Sequence, residues 1–158
     1  MKTVYYITAI LVLLVASMPN LYAQKDKWTG KTEMSYFHSK KLPHGSGTMT
    51  YKNGDVFIGK MSVGSKVTGE FTYTNASGIK CKYVGAFKTS HHSKDNVFHG
   101  FGELWWDGNY YVGYFFYGKM NYGTLVEKDG TTKSGRFDND EFYKGFIADK
   151  NGKLIKKQ

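Results

Sequence analysis

Residues His99–Asn121 read HGFGELWWDGNYYVGYFFYGKMN, and the alternation inside this stretch decides the fold. Gly100 and Gly102 open a strand that continues through Leu104 and Trp106, Asp107-Gly108 supplies a tight turn, and the return strand carries Tyr111, Gly113 and Phe115. Side chains on a strand alternate between its two faces. Gly102, Leu104 and Trp106 therefore share one side, as do Tyr111, Gly113 and Phe115 on the return strand. Glycine at the centre of each strand leaves bare backbone, over which a ring from a neighbouring strand is expected to lie flat.

The same spacing recurs on both sides of this hairpin. First strands begin at Gly45, Gly69, Gly100, Gly123 and Gly145, and turns fall at Asn53-Gly54, Ser77-Gly78, Asp107-Gly108, Asp129-Gly130 and Asn151-Gly152. After each turn, positions two apart carry a large residue, a glycine and a second large residue: Phe57, Gly59 and Met61; Tyr83, Gly85 and Phe87; Tyr111, Gly113 and Phe115. The fourth unit weakens to Lys133, Gly135 and Phe137, and the fifth runs out at Ile155. Units of about 22 to 30 residues predict a stacked array of hairpins rather than a closed core.

Tyr111-Val-Gly113-Tyr-Phe115-Phe-Tyr-Gly118-Lys119 closely resembles the MORN repeat, whose pattern is aromatic, spacer, glycine, spacer, aromatic, then a Gly-Lys link and Gly-x-Gly. The resemblance runs from His44 to the C-terminus. Two departures stand out: an insertion from Lys88 to Phe98, and Asp138-Asn-Asp140-Glu141 where the fourth unit lacks its linking glycine. The resemblance implies an all-β protein, a single elongated and twisted antiparallel meander of MORN-type hairpins. It also implies a non-enzymatic scaffold for protein interaction or self-assembly, with acidic phospholipid as a further possible target. The repeat-defining positions are Gly59, Gly85, Gly113, Gly135, Tyr83, Tyr111, Phe115 and Phe137.

Upstream of the repeats, Lys2 precedes an apolar run from Val4 to Ala16, and Leu21-Tyr22-Ala23 precedes polar Gln24. That run is 13 residues long, against the roughly 20 that a bilayer-spanning helix needs. It reads as a helical signal peptide over residues 1–23 that directs export to the periplasm, cell envelope or exterior, according to the host. Residues 24–43 are expected to form a capping segment or a degenerate repeat, since Trp28-Thr-Gly30 echoes the aromatic, spacer, glycine order, and 44–158 the sheet of about five repeats. One cysteine, Cys81, cannot form an internal bridge, and its alternation with Tyr83 reads as a small buried residue.

Composition narrows the functional classes. Aromatics make up 17% of the chain and glycines number 19 against 2 prolines, which suits many strands and turns. The net charge is +9, a balance that suits solubility and draws anionic surfaces only where lysines cluster. Lys80 and Lys82 form one such cluster. Nucleic acid and small-molecule substrates are not expected as partners. His91, His92, Asp95 and His99 are the one gathering of metal-ligand types; a solvated loop is the expected reading, without metal or cofactor, and a metal-dependent hydrolase using His91, His92 and His99 is the alternative from another class. Asp138-Asn-Asp140-Glu141 lacks the spacing of a calcium loop. Phe101, Trp105, Tyr110, Tyr114 and Phe116 alternate onto the face opposite the core. A solvent face does not need them, so they either pack beneath the N-terminal segment or, with Lys80 and Lys82, form the candidate surface for a protein, a glycan or a second copy.

Overall fold

Thirteen strands are described in the computed structural model, which covers residues 25–34, 40–89 and 96–157. The signal segment, Tyr36, Phe37, His91, His92 and Asp95 lie outside the described residues. In chain order the strands are β1 (Lys27–Trp28), β2 (Thr32–Met34), β3 (Lys41–Pro43), β4 (Gly45–Thr50), β5 (Val56–Ser62), β6 (Ser65–Thr74) and β7 (Lys80–Thr89). They continue with β8 (Asn96–Trp106), β9 (Asn109–Phe116), β10 (Lys119–Val126), β11 (Thr132–Asp138), β12 (Glu141–Ala148) and β13 (Leu154–Lys157). Strands β4 to β13 pair consecutively and antiparallel, and β1 adds to β4, giving one sheet of eleven. No described residue is helical. Strands β2 and β3 form a separate hairpin that docks on the β5–β6 turn, where Gly64 N–H donates to the Pro43 carbonyl at 2.9 Å.

Two kinds of turn join the described strands of the meander. Val63-Gly64, Asp107-Gly108, Tyr117-Gly118 and Asn139-Asp140 each place both residues at positive φ, the two-residue geometry whose twist matches paired strands. Gly54, Gly78, Gly130 and Gly152 instead close three-residue loops, each donating its N–H to the carbonyl three residues back at 2.8–2.9 Å. Asn139-Asp140 thus replaces the missing glycine link. Asp140 also accepts from Met120 N at 2.8 Å and from Lys119 Nζ at 2.6 Å, so this acidic stretch serves the turn.

Glycines form an unbroken row across nine strands. Gly47, Gly59, Gly69, Gly85, Gly102, Gly113, Gly123, Gly135 and Gly145 are each the direct cross-strand partner of the next. Each ring serves two glycines: the one two residues later in its own chain segment, which the alternation did not suggest, and that glycine's partner on the neighbouring strand, which it did. Phe57 lies over Gly59 and Gly69, Tyr83 over Gly85 and Gly102, and Tyr111 over Gly113 and Gly123. Trp28 does the same over Gly30 and Gly47, so the N-terminal segment builds the same unit at the sheet edge. A ring leaning along its strand covers its own glycine and the partner glycine beside it. At Gly135 and Gly145 the nearest atoms are backbone and not a ring, and Lys133 occupies the position where Tyr111 and Tyr83 stand in earlier units.

This arrangement lets one sheet bury a core without a second layer. Phe57, Tyr83 and Tyr111 are fully buried, sandwiched between glycine backbone below and neighbouring rings at the sides. Edge-to-face contacts run Phe57–Phe87 (5.5 Å), Phe87–Tyr83 (5.1 Å), Tyr83–Phe115 (5.2 Å), Phe115–Tyr111 (5.1 Å) and Tyr111–Phe137 (5.3 Å). Each such pair contributes roughly 0.5–1.5 kcal/mol beyond area burial. The phenols are satisfied locally: Tyr83 donates to the Ala86 carbonyl at 2.8 Å and Tyr111 to that of Tyr114 at 3.1 Å. Burial pushes both up to about 12. Cys81 is buried beside them, its Sγ 3.5 Å from the Ile79 carbonyl.

Candidate binding surface

With one face closed by rings, the other carries the side chains that alternate away from the core. Its central row reads Thr48, Ile58, Glu70, Val84, Glu103, Val112, Thr124, Ser134 and Phe146 on successive strands. On β8 and β9 this face becomes aromatic. The candidate residues do not form one patch, however: Glu103 and Val112 separate them into two.

Toward the Asp107-Gly108 turn, Trp105 and Tyr110 pair across the strands with ring centroids 5.1 Å apart. Lys82 holds its Nζ 4.5 Å from the Trp105 ring and 3.7 Å from Glu70 Oε2. Tyr110 Oη donates to Glu103 Oε2 at 2.8 Å. Burial, followed by this contact with Glu103, raises the Tyr110 phenol above its ordinary value. Lys80, Lys82, Trp105 and Tyr110 border a shallow depression of about 390 Å³. Lys82 is therefore a neutralised cation that also covers an indole face, and the two lysines do not act as a free basic pair.

At the other end of the same strands, Phe101 and Tyr114 are direct partners with centroids 5.6 Å apart, edge to face. They are 55% and 56% exposed, and no described residue covers them. Tyr122 continues the ladder beside Tyr114 and is 63% exposed. Sequence reasoning missed it, although its place directly before Gly123 gives it the outward orientation. Phe116, also exposed, packs against Tyr117 at 4.9 Å and His99 at 5.7 Å near the β9–β10 turn.

The histidine gathering is not assembled among the described residues. His99 Nδ1 accepts the Tyr117 N–H at 3.4 Å, a turn-stabilising role, and His91 and His92 lie outside the description. Among the described residues, no group of three or more His, Cys, Asp or Glu is placed to hold a metal ion. Likewise, no described helix is long and apolar enough to cross a membrane.

The repeat geometry agrees with a comparison against known families. The family model for the MORN repeat matches residues 39–56 and 93–109. Two segments of this chain thus match the MORN repeat. Both matched segments cover a glycine-led first strand and the turn after it, β4 in one case and β8 in the other. The other MORN-type hairpins share their glycine row and core face. MORN repeats commonly form β-rich modules for interaction with proteins or membranes. No curated protein matches the chain.

Proposed function

We propose that this protein is an exported, non-enzymatic MORN scaffold whose outward aromatic ladder is a contact surface for protein, a second copy of itself included. The observation that carries this reading is the exposure of Phe101 and Tyr114, opposite a core they do not help to build. Their fixed, paired geometry offers apolar area at little conformational cost, which is how aromatic anchors dominate protein contacts. Export rests on the basic start, 13-residue apolar run and small Ala23. The absence of catalytic work rests on the geometry described above: polar groups along the ladder are spent on neighbours, as Tyr110 is on Glu103 and Lys82 on Glu70.

Sedimentation velocity over a wide concentration range tests the assembly. The wild type is expected to gain mass with concentration, and Phe101→Ser with Tyr114→Ser to remain monomeric with an unchanged circular dichroism spectrum. A double variant that associates as the wild type does would remove the ladder from the contact. Mass spectrometry of protein recovered from its native host tests export, with a mature chain expected to begin at Gln24.

A further inference from the structure

Past the ladder, the outward face changes character. Across β10, β11 and β12 the register sets Tyr122 beside Arg136 and Arg136 beside Lys144; one row over, Ser134 lies beside Phe146 and Phe146 beside Lys157. These rows border a groove of about 500 Å³ over the backbone of Gly123, Gly135 and Gly145. Its rings are open to solvent, Tyr122 at 63% and Phe146 at 50%. Hydroxyls lie between them, with Thr124 Oγ1 2.8 Å from Ser134 Oγ.

Three cations gather at this groove with no acid among the residues that line it. Lys82, Lys119, Lys128 and Lys133 each sit against a carboxylate, whereas Arg136, Lys144 and Lys157 make no ion pair among the described residues. Arg136 instead holds its guanidinium 5.8 Å from the Tyr143 ring centroid, and Lys157 its Nζ 5.5 Å from that of Phe146. No acid lines the groove; Asp138 and Glu141 belong to the β11–β12 turn beyond it. An occupant that complements it carries negative charge, flat apolar faces and hydroxyls.

We propose that the groove binds an acidic polysaccharide, a chain of pyranose rings bearing carboxylates. A sugar ring offers an apolar C–H face to Tyr122 or Phe146, hydroxyls to Thr124 and Ser134, and a carboxylate to the planar fork of Arg136. Other occupants match less of it. Strands β10 to β12 already have partners on both sides, so a peptide cannot join them as an added strand and finds only side chains. A bilayer surface is broad and meets the rims rather than the floor. This site adjoins the Phe101–Tyr114 contact through Tyr122, and the Arg136 and Lys144 variant leaves the whole ladder untouched.

Calorimetric titration of the full chain with polygalacturonate at physiological salt tests the proposal, with the methyl-esterified polymer, polyglutamate and phosphatidylserine vesicles as comparison probes. Polygalacturonate is expected to bind, and its ester to bind about tenfold more weakly or worse. Arg136→Gln with Lys144→Gln, and separately Tyr122→Ala with Phe146→Ala, are each expected to lower affinity by about tenfold. Lys25→Gln with Lys27→Gln, at the far edge of the sheet, is expected to change nothing. All four side chains in the groove variants are exposed, and circular dichroism checks that the variants fold. Failure to bind polygalacturonate, or vesicle binding in its place, overturns the proposal. So does polyglutamate binding equally well with no loss in the ring variant, which would reduce the groove to a bare cationic surface. Each of these results leaves the sedimentation test of the ladder unaffected.

Discussion

Substituting Gly102 by alanine isolates the ring-on-glycine contact, because the three atoms nearest to the added methyl all belong to Tyr83. An ideal Cβ at Gly102 would lie 2.5 Å from Tyr83 Oη and 2.7 Å from both Cε2 and Cζ, well inside ordinary contact. The ring has little room to retreat. It stacks on Phe98 with centroids 3.8 Å apart, meets Phe87 and Phe115 edge-on, and is anchored by its hydrogen bond to Ala86. Overpacking a closed site costs about 1–3 kcal/mol, losing the buried hydrogen bond about 1 kcal/mol more, and exchanging glycine for alanine in a strand returns about 0.5–1 kcal/mol. The net expectation for Gly102→Ala is a loss of about 1–3.5 kcal/mol.

Tyr83→Leu supplies the second arm of a double-mutant cycle. Leucine lacks Cε2, Cζ and Oη, the atoms that the methyl would strike, and keeps apolar volume above the glycines. In that background Gly102→Ala is expected to be neutral or stabilising by up to about 0.5 kcal/mol, a coupling of about 3 kcal/mol at the upper end for residues in contact. Urea unfolding of the four proteins, followed by circular dichroism, measures it. If Gly102→Ala costs the same in both backgrounds, the glycine is required by the backbone and the ring-on-glycine account of the core is wrong.

Gly113→Ala is the contrasting case: its methyl would lie 2.4 Å from the Tyr122 carbonyl oxygen and 2.5 Å from Gly123 Cα, besides 2.7 Å from Tyr111 Oη. It is expected to cost about 3 kcal/mol or more, and Tyr111→Leu, tested by the same urea unfolding, is expected not to rescue it. High pH probes the rings themselves. The Tyr83 and Tyr111 phenols are raised from 10.0 to about 12, so the folded chain keeps protons that the unfolded chain releases. The stability they contribute is complete below pH 10 and is lost as pH rises through 12, at up to about 2.7 kcal/mol per pH unit for the two together. In nuclear magnetic resonance spectra assigned to the Tyr83 and Tyr111 rings, ionisation is expected only with the loss of near-ultraviolet circular dichroism, and ionisation of either ring near pH 10 in an intact fold would contradict it. Asp140→Ala, which removes the acceptor for Met120 N and Lys119 Nζ, is expected to cost about 1–2 kcal/mol in thermal or urea unfolding, with Asp140→Asn losing less.

Much of this fold is legible because glycine carries so specific a message in a strand. Nine positions with no side chain fall into one row, and no shift of register keeps them together, so spacing in the sequence fixes pairing in the sheet. The turns were as readable, since Asp107-Gly108 and its counterparts demand positive φ. What spacing does not contain is the direction in which a ring leans. Tyr83 covers Gly85 and Gly102 because its side chain folds along its own strand, a rotamer choice set by packing against Phe98 and Phe115. Trp28 was ambiguous for the same reason: aromatic, spacer, glycine is a short signal, and only the ring's position over Gly30 and Gly47 shows it doing the work of a repeat.

The outward face was harder to read, and the reason is physical. Side chains on the core face answer to the glycine row, so their identities repeat from unit to unit and say little about this protein in particular. Side chains on the other face are released from that constraint. Ile58, Glu70, Val84, Glu103 and Val112 share one register position and have no chemistry in common. Tyr122, Arg136 and Lys144 looked like ordinary surface residues in separate repeats, because adjacency across a meander joins positions 14 and 8 residues apart that no local pattern links. Selection for a partner can act only where the repeat leaves freedom. The exposed rings of β8 to β10, and Arg136, Lys144 and Lys157 gathered at one groove without an ion pair among the described residues, are therefore places where this chain departs from what its hairpins require, and function is to be sought there.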